Sequence, residues 1–265
     1  GLRGIGIGSI GPLDLRRGMI LNAANLPLRD VPIVEALSSE FHVPVTLLND
    51  CTAAVVGERH FGAGRDHEDL VYVTISTGIG GGVYVDGHLL IGKDGNAAEI
   101  GHTVVDPQGT LLCGCGKRGH WEAYCSGTGI PNYARRVLGG VDEGEARSSA
   151  LYRLAGGDLA RLTAKHVYDA AREGDPLALR VLEGVNRFNA IGFSNVVQAY
   201  DPSLITVGGS VALNNPDLVL EPLIKGLGEF TINRPPEVRL TPLGHDVVLY
   251  GAIALALGLE RPARV

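Results

Sequence analysis

In the stretch CGCGKRGHWE (residues 113–122), Cys113 and Cys115 stand one residue apart, His120 follows and Glu122 closes the run. Zn²⁺ takes four tetrahedral nitrogen and sulfur ligands, so two thiolates and two imidazoles would close a structural site. His102, in EIGH (99–102), is the nearest upstream candidate for the fourth ligand, across a Pro-Gly-bearing loop that can fold back. C-x-C is tighter than the usual C-x2-4-C, so spacing alone leaves open a reduced turn with two incidental thiols. Gly114, Gly116 and Gly119 favour a knuckle that wraps a small ion. Cys51 and Cys125 read as small apolar residues.

A metal that gathers the histidines also brings Glu99 and Glu122 together. Two carboxylates beside an imidazole suit a polyhydroxylated ligand, because each accepts hydrogen bonds from neighbouring hydroxyls. Two solvated surface acids fit the spacing equally well. Asp50, at the end of LLND (47–50), can take a proton from an attacking hydroxyl. Asn49 and Asp50 are also preferred helix caps before TAAVV, and both roles are compatible. STGIGGG (76–82) reads either as a phosphate cradle of backbone N–H groups or as a plain hairpin turn. The sequence has no G-K-[ST], which excludes a P-loop, and a strand follows the glycines, which disfavours a dinucleotide fingerprint. VGGS (207–210) is a second glycine turn at a strand end.

These residues need an α/β scaffold. Residues 1–10 read as a strand stopped by GPLD, and VPIVEALSSEFH (31–42) as a helix with Ile33, Val34, Leu37 and Phe41 on one face. VPVTLLND (43–50) follows as a buried strand, placing Asn49 and Asp50 at its carboxyl end, where such sheets usually hold ligands. Residues 51–64 continue as a small-residue helix, and 70–90 form a hairpin around the glycine turn. From 128 onward the pattern is helical, with apolar spacing through Val181, Leu182, Val185, Phe188, Ile191 and Val196. PSLITVGGSVAL (202–213) reads as strand, turn and helix start. VVLYGAIALALGLE (247–260) is an apolar helix too short to span a bilayer. The alternation predicts two α/β lobes: 1–68 with 246–265, and 69–245.

With 265 residues, 45% of them hydrophobic, the chain can bury a substantial core. Its net charge of -6, without a basic stripe, argues against direct nucleic-acid contact. No apolar run approaches the roughly 20 residues of a membrane span, and no secretory signal opens the chain. Four cysteines do not make a disulfide framework at this length, so a reducing, cytoplasmic setting is expected.

In this order, GIGSIGPLD, LLND, STGIGGG, EIGH, CGCGKRGHWE and VGGSVAL resemble the ROK family (repressor, open reading frame, kinase), and within it most closely the glucokinases. EIGH with the cysteine knuckle is the specific part. The resemblance implies an actin-like, ribonuclease-H-like fold of two lobes around a cleft, with ATP and Mg²⁺ on one side and a hexose between. It implies Asp50 as general base, with Asn49, Gly11, Glu99, His102 and Glu122 as sugar contacts. Thr77, Gly78 and Gly80 match the phosphate turn, and Gly209 the adenosine turn. His102, Cys113, Cys115 and His120 match the structural Zn²⁺ ligands, His120 standing where a third Cys is usual in the family. The D-x-G-G-T loop that opens family kinases is absent, so the chain is expected to start several dozen residues late. The implied activity is phosphorylation of a hexose, glucose first, by a homodimer or homotetramer. The alternative is a sugar-responsive transcriptional regulator whose DNA-binding region lies outside this chain.

Overall fold

The computed structural model describes residues 1–21 and 29–260. Residues 22–28 and 261–265, which fall in the stretches expected for the small lobe, lie outside the described residues.

Strand β1 (Ile5–Ser9) is followed by a cis Gly11–Pro12 bond, the short antiparallel pair β2 (Leu13–Asp14) and β3 (Met19–Ile20), and helix α1 (Ile33–Phe41). Strand β4 (Val45–Asn49) then pairs with β1 in parallel, Ser9 opposite Asn49, and passes directly into α2 (Asp50–His60). This is the β-α-β step the sequence implies, so the Gly11 turn and the Asn49–Asp50 pair share one end of the sheet.

Strands β5 (Leu70–Ile75) and β6 (Ile79–Val85) form the expected hairpin, with β7 (His88–Leu89) on its outer edge. A 3₁₀ turn at Ile100–His102 precedes the cysteine loop. A helical region follows it: α3 (Glu122–Cys125), α4 (Gly129–Leu138), α5 (Glu143–Ser148), α6 (Ala150–Leu154), α7 (Ala164–Arg172) and α8 (Pro176–Tyr200). The break between α7 and α8 falls at Gly174, whose positive φ ends one helix, and at Asp175, whose side chain accepts from the Ala178 N–H to begin the next. Strand β8 (Leu204–Gly208), α9 (Ser210–Asn214), α10 (Pro216–Leu227), β9 (Glu237–Leu240) and α11 (Val247–Ala256) complete the chain.

The main sheet runs β7-β6-β5-β8-β9, with β5, β8 and β9 parallel. Its inner strands are apolar on both faces, as covered parallel strands must be. One face packs on the helical region through a core centred on Trp121, Tyr124, Phe193, Val185 and Ile205. The other face packs on α2. The core on that side combines Ala53, Val55 and Val56 of α2 with Leu70, Tyr72, Tyr84 and Leu204 of the sheet and with Val247, Ala254 and Leu255 of α11. Helix α2 is therefore a middle layer between the β1–β4 pair with α11 and the five-stranded sheet. Close approach makes this possible: a Cβ at Gly251 would lie 1.7 Å from the Ala53 carbonyl oxygen, and one at Gly82 would lie 2.2 Å from that of Cys51.

Candidate functional site

The base candidate is placed by burial. Residues 51–58 of α2 are all buried, and Asp50 emerges half-buried at the helix start, where the first turn favours a carboxylate. The Asn49 Oδ1 caps the helix, accepting from the N–H groups of Cys51 (2.9 Å) and Thr52 (3.3 Å), while the Asp50 Oδ1 accepts from the Cys51 N–H at 2.8 Å. The cap reading of this pair is met by Asn49 and is compatible with a base at Asp50. Gly11 lies against Asn49, where an added Cβ would be 3.9 Å from the Asn49 Nδ2.

The cysteine loop is built differently. It folds through the Cys113 N–H to the Lys117 carbonyl, the Gly116 N–H to the Cys113 carbonyl and the Gly119 N–H to the Leu111 carbonyl. Gly116 and Gly119 adopt φ of 83° and 78°, which a bulkier residue resists. The Asp106 carboxylate anchors the loop by accepting from the N–H groups of Gln108 and Thr110 and from the Tyr124 hydroxyl. Burial, reinforced by that hydrogen bond, pushes the Tyr124 hydroxyl up to about 12.

The loop brings together one ligand atom each from His102, Cys113, Cys115 and His120, all within 4.8 Å of one another. The Cys113 Sγ lies 3.7 Å from the His102 Nδ1, and the Cys115 Sγ lies 3.3 Å from the His120 Nδ1. Ligands about 2.0–2.3 Å from a tetrahedral ion stand roughly 3.3–3.8 Å apart, so these pairs fit Zn²⁺. The protonation chemistry fits as well. Burial, opposed by a backbone hydrogen bond at Cys115 and reinforced by the Cys115 side chain and the Glu122 carboxylate, pushes the Cys113 thiol up to about 12, so a thiolate there needs a cation beside it. Burial and the neighbouring His102 lower the His120 imidazole, which keeps it a neutral ligand.

Glu99 and Glu122 flank this cluster. The Glu99 Oε2 lies 3.9 Å from the His102 Nε2. Loss of hydration raises the Glu99 carboxyl, His102 opposes that, and the carboxylates of Asp50 and Glu122 add to it, so the three acids share one space. The Glu122 Oε2 accepts from the Ile79 N–H at 3.0 Å, and its Oε1 lies 3.6 Å from the Cys113 Sγ.

The glycine turns converge through the parallel pairing of β5 and β8, which sets Thr74 opposite Gly208. Thr77 and Gly78 form the turn of the hairpin, while Gly80 lies beyond it inside β6, against the Cys51 Sγ. Burial, with Asp50 adjacent, pushes the Cys51 thiol up, so it packs as the neutral apolar residue its surroundings suggest. Gly209 has φ 85° and ψ 154°, a conformation essentially restricted to glycine; a Cβ there would also strike the Ile75 carbonyl oxygen at 2.5 Å. Ser76 and Ser210, one from each turn, touch through their hydroxyls at 3.2 Å.

Beside Thr77 opens a cavity of about 450 Å³, lined by Thr77, Thr128, Lys165, Arg172, Ser210 and Asn215 among others. Its volume suits a small organic ligand. Sequence reading missed the walls supplied by α7 and by Thr128 and Asn215. Lys165 pairs with Asp169 one turn on, and Arg172 with Asp217 and Asn215, so in sequence they read as ordinary solvated helix faces. Thr128 gave no signal; its N–H and hydroxyl both bond the Thr77 carbonyl.

Comparison with known proteins places this arrangement. The family model described as "ROK family" matches residues 1–258. The chain is 42% identical to a glucokinase of Pyrobaculum calidifontis over 253 residues, covering 95% of this chain and 78% of that protein. Among solved structures it is similar to a ROK family glucokinase from Streptomyces griseus in complex with glucose and AMPPNP. That match has a TM-score of 0.79 and 36% identity, and covers 97% of this chain and 82% of the other. A ROK hexokinase from Thermus thermophilus matches with a TM-score of 0.82 at 34% identity, covering 97% and 80%.

Proposed function

The chain belongs to the ROK family, and from that premise we propose that it is a glucokinase, transferring the γ-phosphoryl group of ATP to the primary hydroxyl of glucose. One observation carries the reading: Asp50 stands at the carboxyl end of β4, electrostatically coupled to Glu99, which in turn couples to Glu122 and His102, and α2 packs on the strand that leaves the Thr77–Gly78 turn. This proximity supports a base, a hydroxyl-binding cluster and a phosphate turn serving one site. An AMPPNP-bound relative supports ATP as donor.

In this reading Asn49, Glu99, His102 and Glu122 orient the sugar, with Gly11 allowing close approach of the backbone. Asp50 accepts the proton of the primary hydroxyl while its oxygen bonds the γ-phosphorus and the bond to the ADP oxygen breaks. The free N–H groups of the Thr77–Gly78 turn receive the phosphates, Gly209 admits the adenosine, and ATP enters as its Mg²⁺ complex. His102, Cys113, Cys115 and His120 would hold Zn²⁺, which supplies a cross-link and, with no open position, no activated water. His102 is then fixed so that its second ring nitrogen meets a sugar hydroxyl. Positioning of this kind supplies much of the acceleration, effective molarities reaching about 10⁵ M or more.

A sugar-responsive regulator is the weaker alternative, because the extensive identity is to glucokinases; Asp50 and both glycine turns support the kinase reading. A coupled ADP-release assay over a hexose panel tests the function. Glucose-dependent ADP formation is expected; sugar binding without turnover on any hexose would favour the regulator.

A further inference from the structure

The carboxylate that the proposed function gives to the sugar is committed elsewhere in this structure. The Glu122 Oε2 accepts the N–H of Ile79, the residue that closes the phosphate turn, and lies so close to Gly78 that a Cβ there would be 2.4 Å away. The rest of the turn is tied to the same segment: the Gly127 N–H donates to the Ser76 carbonyl, and the Thr128 N–H and hydroxyl donate to that of Thr77. The Ser76 N–H is spent on the Gly78 carbonyl within the turn. Among the described residues, only the N–H groups of Thr77 and Gly78 remain for an anion, and a carboxylate sits beside them. A site that must receive a polyphosphate is therefore held one donor short and next to a negative charge.

We propose that Glu122 is a gate that makes nucleotide binding depend on sugar. Without sugar, its carboxylate caps Ile79 and repels phosphate. When a hexose arrives, its hydroxyls draw the carboxylate away, which frees the Ile79 N–H and removes the charge from the turn. Sugar and nucleotide then bind with positive coupling, and ATP held without an acceptor, exposed to water, is disfavoured. Position in the chain makes this economical. Glu122 opens α3 two residues after His120 and three after Gly119, so the cysteine loop that shapes the proposed sugar site leads straight into the residue that reaches the turn. The inference rests on the proposed function, since it needs Glu122 to contact the sugar.

The coupling is measurable by titrating AMPPNP with Mg²⁺ into the protein by calorimetry, with and without saturating glucose. Wild type is expected to bind AMPPNP about tenfold tighter with glucose, within the usual range of coupling between sites, and by reciprocity AMPPNP should tighten glucose by the same factor. Glu122→Ala removes both the cap and the charge. It should bind AMPPNP alone nearly as tightly as wild type does with glucose, with a coupling factor near one and weaker glucose binding. Glu122→Gln keeps an acceptor for Ile79 but loses the charge, so an intermediate coupling separates the two contributions. A merely structural role cannot produce this pattern, because damage to the fold does not tighten nucleotide binding. Coupling near one in wild type that still binds and phosphorylates glucose overturns the gate alone. So does full coupling in Glu122→Ala, or unchanged glucose affinity in both variants. Absence of binding to glucose and every other hexose overturns the proposed function and the gate with it.

Discussion

The strand–helix corner that carries Asp50 and the cysteine loop between His102 and Glu122 both approach Glu99 but are held by opposite means. Helix α2 is fixed by packing: every residue from Cys51 to Glu58 is buried, and it is pressed between α11 and the main sheet. The loop from Pro107 to Gly119 buries only Cys113 and Gly119 and is shaped by backbone turns, the Asp106 carboxylate and a set of atoms spaced to ligate a metal. Apolar burial is non-directional and insensitive to chelators, whereas ligand geometry is directional and reversible. In the proposed function the base thus stands on a packed helix, whereas the sugar contacts depend on a reversible metal cross-link.

The sharpest division of the two regions comes from the chemistry. Asp50→Ala is expected to lower turnover by about 10²–10⁴-fold, the usual range for loss of a general base, while the thermal midpoint and zinc content hold. Near-normal turnover in steady-state assays would remove Asp50 as the base. On the other side, Cys113→Ser or treatment with a chelator should remove zinc and raise the KM for glucose about 10–100-fold. Elemental analysis and kinetics on one sample check both, and metal content equal to wild type would dispose of the site.

The packed region should instead break as a fold. Gly251→Ala drives a methyl into the Ala53 backbone at the α2–α11 crossing, so unfolding in denaturant should be easier by about 1–3 kcal/mol, with zinc content per folded protein unchanged. A change below a few tenths would show that the helices can separate freely. The smallest effect concerns Glu58, fully buried in α2, which accepts from the Thr241 hydroxyl and the Ala63 N–H. Burial raises its carboxyl above the ordinary 4.5, and the hydrogen bonds to Thr241 and Ala63 oppose that only in part. The folded protein therefore binds this proton more tightly than the unfolded chain does. Its contribution is complete below about pH 4.5 and is lost as pH rises through the raised value. Unfolding free energies across that range should fall less steeply with pH in Glu58→Gln than in wild type; equal slopes would refute the shift.

Much of the scaffold was legible because its signals are local. The β5–β6 hairpin follows from β-branched runs around glycines, and α1, β4 and α2 from a helical face followed by an apolar run and a capping pair. Among the elements that escaped, two did so for clear physical reasons. Helix α10 begins with Pro216 and contains Pro222, and proline reads as a breaker although the first is welcome in an opening turn. Strand β9 follows two prolines, lies at the sheet edge and alternates between exposed and half-buried residues, so no apolar run announces it. Helix α2, from the stretch expected for the small lobe, contributes to a core shared with β5, β6 and β8, a contact no local pattern announces.

By itself the sequence determined which atoms could bind a metal, which carboxylate could act as base and which glycines could admit phosphate, since those depend on residue type and spacing over a few positions. Only the tertiary structure decided that Glu122 bonds the Ile79 N–H across 43 residues, that Gly80 packs on Cys51, and that Lys165, Arg172 and Asn215 wall a cavity beside Thr77. Those contacts join segments brought together by packing of the main sheet against α2 and the helical region, and no local pattern in a chain encodes which distant backbone group will lie within reach.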